Sequence, residues 1–75
     1  MTIHVGVAFP PHRQGAIAEF HVAHDGVMDI PAELFRLDGR LMIGLYSRVD
    51  GIAWEYPLSD FLAAIASGIK VLEGG

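Results

Sequence analysis

Residues 41–72 read LMIGLYSRVDGIAWEYPLSDFLAAIASGIKVL, and this stretch decides the fold. Apolar residues alternate with others on both sides of Asp50-Gly51, a dipeptide that favours a two-residue type I′ hairpin turn. The pattern predicts one strand before the turn and a second strand that ends at Tyr56. An amphipathic helix follows from Ser59, which we expect to act as its N-cap. The rest of the chain is expected to complete the sheet that this helix covers.

The helix is predicted from apolar residues that recur every three or four positions and therefore share one side. These residues are Leu58, Phe61, Leu62, Ile65, Ile69 and Leu72. Asp60 near the start and Lys70 near the end match the polarity of the helix dipole. Gly68 costs about 1 kcal/mol relative to Ala. The simpler interpretation is that Gly68 is neutral, and the alternative is that it lets a strand or a partner approach closely.

Two strands are predicted before this stretch, over residues 2–9 and 16–24, because both segments alternate. A hairpin that pairs Val5 with Phe20 brings the apolar residues of both strands onto one face, and this condition fixes the register. The same register places His4 opposite His21.

The Asp-Gly pair also occurs at Asp25-Gly26 and Asp38-Gly39, at a spacing that suits a meander of short strands. Residues 27–37 are ambiguous, because Pro31 breaks a central strand but also suits the first position of a helical turn. We favour an interrupted strand, which the turn at residues 38–39 then joins to the next strand. The predicted fold is α+β: a small antiparallel β-meander of four or five strands with one C-terminal α-helix packed on one face, in a single domain over residues 1–75.

Two-residue turns at the later Asp-Gly pairs assign the side chains to two faces of the sheet. The face expected under the helix holds Leu34, Leu41, Ile43, Leu45, Val49, Ile52, Trp54 and Tyr56. On the other face, Phe35, Met42 and Tyr46 are expected to form an apolar centre within a charged rim that includes Arg48. Exposed apolar patches of this kind mark interfaces, so we predict that these four residues form one.

Composition limits the range of functions. The chain is 52% hydrophobic, has no cysteine and carries a net charge of −4. A chain of 75 residues buries only about 60–65% of the surface that it exposes when unfolded, so the apolar surplus favours a homodimer. No cationic patch is visible, which argues against nucleic-acid binding. The sequence shows no long apolar run and no signal-peptide pattern, so we expect a cytoplasmic protein without a membrane span.

Residues that could carry out chemistry are few. In the predicted register His4 and His21 share a face, with Glu19 or Asp29 as further candidates, and this set falls short of the three or four ligands that zinc needs. No serine stands in a nucleophile motif and no Gly-rich loop suits a phosphate. We therefore expect no catalytic residue, no cofactor site and no metal site.

Three aromatic residues lie close to the predicted junction of strand and helix: Trp54, Tyr56 and Phe61. Such a trio can line a ligand pocket, although packing between helix and sheet explains it more simply.

The predicted function is that of a small acidic, non-catalytic protein-binding module. It would be a homodimeric regulator or inhibitor of another protein, of the kind that mobile elements or phages encode. The alternative is a small enzyme, or a ligand- or metal-binding protein, with a site formed between subunits around His4, His21 and Glu19.

Overall fold

The first two strands form the hairpin that the sequence predicts. The computed structural model describes residues 2–24, 26–48 and 50–74, and of His24 it describes only the backbone. Strand β1 spans His4–Ala8 and strand β2 spans Ile17–His24. They pair antiparallel, with Val5 opposite Phe20 and His4 opposite His21. The predicted register is confirmed, because only this pairing keeps the apolar residues of both strands on one face.

The third strand, β3, runs without a break over Val27–Leu37, so residues 31–37 are strand and not a helical turn. Its pairing with β2 shifts by one residue between Phe20, which faces Ala32, and Val22, which faces Asp29. Two residues of β3 therefore oppose one residue of β2. This β-bulge is the kind of site where a strand tolerates a proline such as Pro31.

Two Asp-Gly pairs join the remaining strands. Asp38 and Gly39 have φ angles of 51° and 77°, as a type I′ turn requires, and they lead into β4, Arg40–Leu45. Asp25 lies outside the described residues, but the residues on either side of the first pair, at positions 24 and 27, face each other across the ladder.

The four strands form one antiparallel sheet in the order β1-β2-β3-β4, and α1, Leu58–Leu72, packs on one face of it. The predicted α+β meander with one C-terminal helix is therefore confirmed.

The predicted strand after Asp50-Gly51 is wrong, because residues 52–57 form no strand. Asp50 instead closes a local turn with its own side chain. One carboxylate oxygen lies 2.6 Å from Nη2 of Arg48, and the other accepts a 3.0 Å hydrogen bond from the backbone N–H of Ile52. The N–H of Gly51 donates to the carbonyl of Arg48 at 3.1 Å. These local contacts take the place of the hairpin pairing that the dipeptide predicts, and Val49 lies outside the described residues.

The predicted N-cap is also wrong. Helix α1 begins at Leu58 with Pro57 as the N-cap residue, and no side chain caps it. The carbonyl of Pro57 accepts the N–H groups of Asp60 and Phe61 at 3.1 and 3.2 Å. Because Ser59 already lies inside the helix, its hydroxyl is not placed as an N-cap hydroxyl is.

The core lies between α1 and the first three strands. Its buried members are Ala18, Phe20, Ala32, Leu34 and Ala64. The helix contacts β1, β2 and β3, and over the described residues it does not reach β4. The predicted apolar stripe is therefore only partly right: Phe61, Ile65, Ile69 and Leu72 pack against the core, whereas Leu58 and Leu62 are exposed.

The predicted contents of the helix-covered face need the same correction. Leu34 is buried there, but Leu41, Ile43, Leu45 and Ile52 are exposed. The physical reason is the position of the helix. The small residue Gly68 brings α1 close to β2 and β3, and over the described residues the helix does not contact β4.

Gly68 is the point of closest approach between helix and sheet. A Cβ atom at this position would lie 2.6 Å from Cδ1 of Leu34 and 3.4 Å from both the Cβ of Ala18 and Cε1 of Phe20. The neutral interpretation of this glycine is wrong, and the alternative that it permits close packing is right.

We expect Gly68→Ala to destabilise the protein by about 1 kcal/mol. Helix propensity alone would stabilise the variant by about that amount, but forcing a methyl group into a packed core costs about 1–3 kcal/mol. Urea unfolding measures the difference, with Ser67→Ala as the control at the neighbouring exposed position. An increase in stability of similar size in both variants would contradict the close packing.

Candidate functional site

A groove with a volume of about 510 Å³ lies beside β4, where α1 leaves this strand uncovered. It is lined by Pro31, Ile43, Leu45, Tyr46, Trp54, Tyr56, Leu58 and Phe61. Leu45 is 73% exposed and Leu58 is 71% exposed, which is unusual for large apolar side chains that line a groove. A concave apolar surface of this size is typical of a binding site.

A stack of aromatic rings forms one side of the groove. The ring centroids of Trp54 and Tyr56 are 5.8 Å apart and those of Tyr56 and Phe61 are 5.9 Å apart, both nearly parallel. Phe61 then meets the buried Phe20 edge to face at 5.7 Å. These contacts hold residues 52–57 against the core without any strand pairing. The stack is therefore part of the core at one end and part of the groove at the other.

Tyr56 places a polar atom beneath this apolar surface. Its hydroxyl is buried and has no hydrogen-bond partner among the described residues. Burial, and to a smaller extent the charge of Asp29, raises the pKa of Tyr56 to about 12, against the opposing effect of Arg48. The hydroxyl therefore stays protonated at neutral pH and can donate a hydrogen bond.

The outer edge of β4 borders the groove. The N–H of Tyr46 donates to the carbonyl of Pro31 at 2.9 Å, so the residues at positions 46, 44, 42 and 40 direct their backbone groups toward β3. By the same alternation, Leu41, Ile43 and Leu45 direct theirs away from the sheet. These three side chains share the helix side of the sheet and are all exposed. An extended apolar edge of this kind is open to strand pairing.

The predicted interface residues Phe35, Met42, Tyr46 and Arg48 do not form one exposed patch. Phe35 is only 7% exposed, because the guanidinium carbon of Arg13 lies 3.6 Å from its ring centroid. Arg48 pairs with Asp50 and lies beside the ring of Trp54. Met42 is half-buried and Tyr46 is exposed. The role of the four residues in an interface stays a prediction, but Phe35 is already covered within the chain.

A buried carboxylate occupies the face of the sheet opposite α1. The Glu33 side chain is 3% exposed and lies 2.7 Å from Nη2 of Arg13, which reaches it from the loop between β1 and β2. A hydrogen bond between Tyr46 and Glu33 and, to a smaller extent, burial raise the pKa of Tyr46 above its ordinary value. The guanidinium of Arg13 covers the ring of Phe35 as well. Arg13, Glu33 and Phe35 therefore form a cluster, the clamp, that covers part of the face opposite α1.

His4 and His21 lie opposite each other on neighbouring strands, as predicted. His21 Nε2 is 3.3 Å from Oε1 of Glu19, and a Cβ on Gly6 would lie 3.5 Å from the same nitrogen. Within residues 2–24, 26–48 and 50–74, no group of three His, Cys, Asp or Glu side chains is placed to hold a metal ion. Glu19 and His21 thus form a local pair, and the side chain of His24 lies outside the described part of the chain.

Sequence reasoning missed the groove and the clamp. The aromatic trio at positions 54, 56 and 61 was the available signal for the groove, since it suits both a pocket and a core. No comparable signal marks Glu33, because alternation places this glutamate among the charged residues expected to surround the apolar centre of the face opposite the helix.

Over the described residues, no helix has the length and hydrophobicity that crossing a membrane requires. Comparisons with protein-family models, curated proteins and solved structures give no match to this chain.

Proposed function

We propose that the protein is a non-catalytic protein-binding module, a regulator or inhibitor, that holds an apolar segment of another protein in the groove beside β4. The observation that carries this proposal is the exposure of Leu45 and Leu58 at a groove with a wall of aromatic rings. Large apolar side chains left in water at a concave surface favour association, because covering them removes apolar area from water.

The chemistry of the groove also indicates what its occupant must offer. A volume of about 510 Å³ falls in the range of ligand sites and accommodates large apolar side chains. A polypeptide segment with large apolar side chains supplies what this space requires, because those side chains fill it and are removed from water.

Selection from a displayed random-peptide library tests the proposal. We expect enrichment of peptides with two or more large apolar residues. Trp54 is the only tryptophan of the chain and lines the groove, so the emission of the protein should shift when a selected peptide binds. Leu58→Glu should weaken binding by about 10- to 100-fold, because the peptide would bury a carboxylate without a partner.

The matched control is Met28→Glu, which places the same charge at an exposed apolar residue outside the groove lining. It should bind the selected peptides with unchanged affinity. Equal affinity of the parent and Leu58→Glu, or no enrichment of apolar peptides, would refute the groove as the binding site.

A further inference from the structure

We infer that the outer edge of β4 pairs with β4 of a second copy, and that the two-fold axis passes between the two Ile43 residues. The inference rests on the proposed function, because it names the element that completes the binding surface beside the groove. The strand carries no proline, lysine or bulge that would protect its edge, and its pairing with β3 is regular from residue 40 to residue 45.

The alternation of backbone groups selects the register. Leu41, Ile43 and Leu45 are the residues of β4 whose N–H and C=O groups point outward. In one antiparallel two-fold register, all three residues of each strand form hydrogen bonds to the other strand. Ile43 then lies opposite Ile43 of the partner subunit, and Leu41 lies opposite Leu45 of the partner subunit. Every residue that bonds across this contact is therefore apolar and faces another apolar residue. The pattern is self-complementary, as an isologous interface requires.

The opposite face of the same contact is compatible with this register. Met42 would lie opposite the partner subunit's Gly44, which brings no side chain of its own to the contact. Arg40 would lie opposite the partner's Tyr46, an arrangement that favours a contact between a cation and a ring. Residues 40–45 contain no acidic side chain, so the net charge of −4 on each copy does not concentrate at the contact.

The other edge of the sheet is a poorer candidate. The same alternation of backbone groups can be followed from β4 through β3 and β2 to β1. The backbone groups at positions 4, 6 and 8 of β1 then bond to β2, whereas those of Val5 and Val7 point away from the sheet. Helix α1 packs against β1 but not, over the described residues, against β4. Val5 is therefore partly covered by the core, whereas all three outward residues of β4 are exposed.

Pairing through β4 would place the two grooves on one face of an eight-stranded sheet. The side chains at positions 41, 43 and 45 of both copies would form an apolar strip between them. The second copy thus completes the surface that the single chain leaves open, and a bound segment could extend from one groove to the other.

Sedimentation equilibrium tests the inference first by mass. The parent should sediment at about twice the chain mass of 8.1 kDa. Ile43→Pro should weaken dimerisation by on the order of 100-fold, because it removes both N–H donors of the central pair and no bond to β3. Val7→Pro is the matched control, since it removes an outward N–H from β1, and it should remain dimeric. Circular dichroism checks that both variants retain the fold.

A second measurement tests the register. The chain has no cysteine, so Ile43→Cys should oxidise to a covalent dimer, because opposed residues of a hydrogen-bonded pair lie about 5.5 Å apart, within the range of a disulfide. Met42→Cys should not, since its partner in this register is residue 44. Equal cross-linking of both variants would overturn the register.

A monomer at all concentrations would overturn the pairing, and so would a dimer that Ile43→Pro leaves intact. Open-ended association would overturn it as well, because it indicates a contact between unlike edges. A monomer that still binds selected peptides with a shift in Trp54 emission would separate the two proposals, leaving the groove function in place. A dimer of the expected register that binds no peptide would support this inference and refute the groove function alone.

Discussion

Phe20→Ala should sharply lower both the thermal and the urea midpoint of unfolding. Phe20 is 0% exposed and joins the sheet to the helix, both through its contact with Phe61 and through its place beside Gly68. Truncating a buried Phe costs about 3–5 kcal/mol. At about 0.05–0.15 kcal/mol per residue, the whole chain has only about 4–11 kcal/mol of stability. The loss is therefore a large part of the total, and the measurement is far-UV circular dichroism during thermal and urea unfolding.

Phe9→Ala provides the control for this experiment, because Phe9 is 75% exposed and the chemical change is identical. A surface substitution of this kind should change stability by no more than about 0.5 kcal/mol. If Phe20→Ala melted like Phe9→Ala, the packing of α1 on β2 would not be what holds the fold together.

Arg13→Ala should have the second-largest effect, about 2–4 kcal/mol. Removing one partner of a buried ion pair leaves the other charge buried without a partner, which costs about 3–5 kcal/mol for fully buried pairs. The expected value is lower here, because the Arg13 side chain is 28% exposed whereas that of Glu33 is 3% exposed. The variant also uncovers the ring of Phe35. Urea unfolding at pH 7 measures the change.

A second substitution separates the charge effect from lost packing. In Arg13→Ala the Glu33 carboxylate stays buried without its cation, so adding Glu33→Gln should recover part of the lost stability, because it removes the unpaired charge. Arg40→Ala, which removes an exposed arginine, is the control. No recovery in the double variant would assign the effect of Arg13 to packing on Phe35 alone.

Most of the sheet could be predicted from local sequence. The register of β1 and β2 follows from the coincidence of their apolar residues, and the turn at Asp38-Gly39 follows from the need for positive φ at both positions. The same rule failed at Asp50, because that carboxylate has a local cation at Arg48 and a local N–H at Ile52. A dipeptide rule does not include those side-chain contacts.

The candidate site could be predicted only in part, because it depends on where the helix sits. Alternation assigns Ile43 and Leu45 to the helix side of the sheet, and this is correct. Whether the helix reaches them depends on the approach at Gly68, which a helical periodicity does not specify. The burial of Glu33 depends in turn on Arg13, a residue 20 positions away in a loop. Such a long-range contact leaves no mark in the local pattern.

The order of the elements along the chain has a consequence for synthesis on the ribosome. Each strand pairs with its neighbour in sequence, so the sheet can assemble progressively as the hairpins emerge. The 15 residues of α1 come later, and at about 5–20 residues per second their translation takes about 1–3 s. During that interval the apolar face around Phe20 has no cover. A nascent chain at this stage is a substrate for chaperones that bind exposed apolar surface, and slow translation of the helix codons would prolong its exposure.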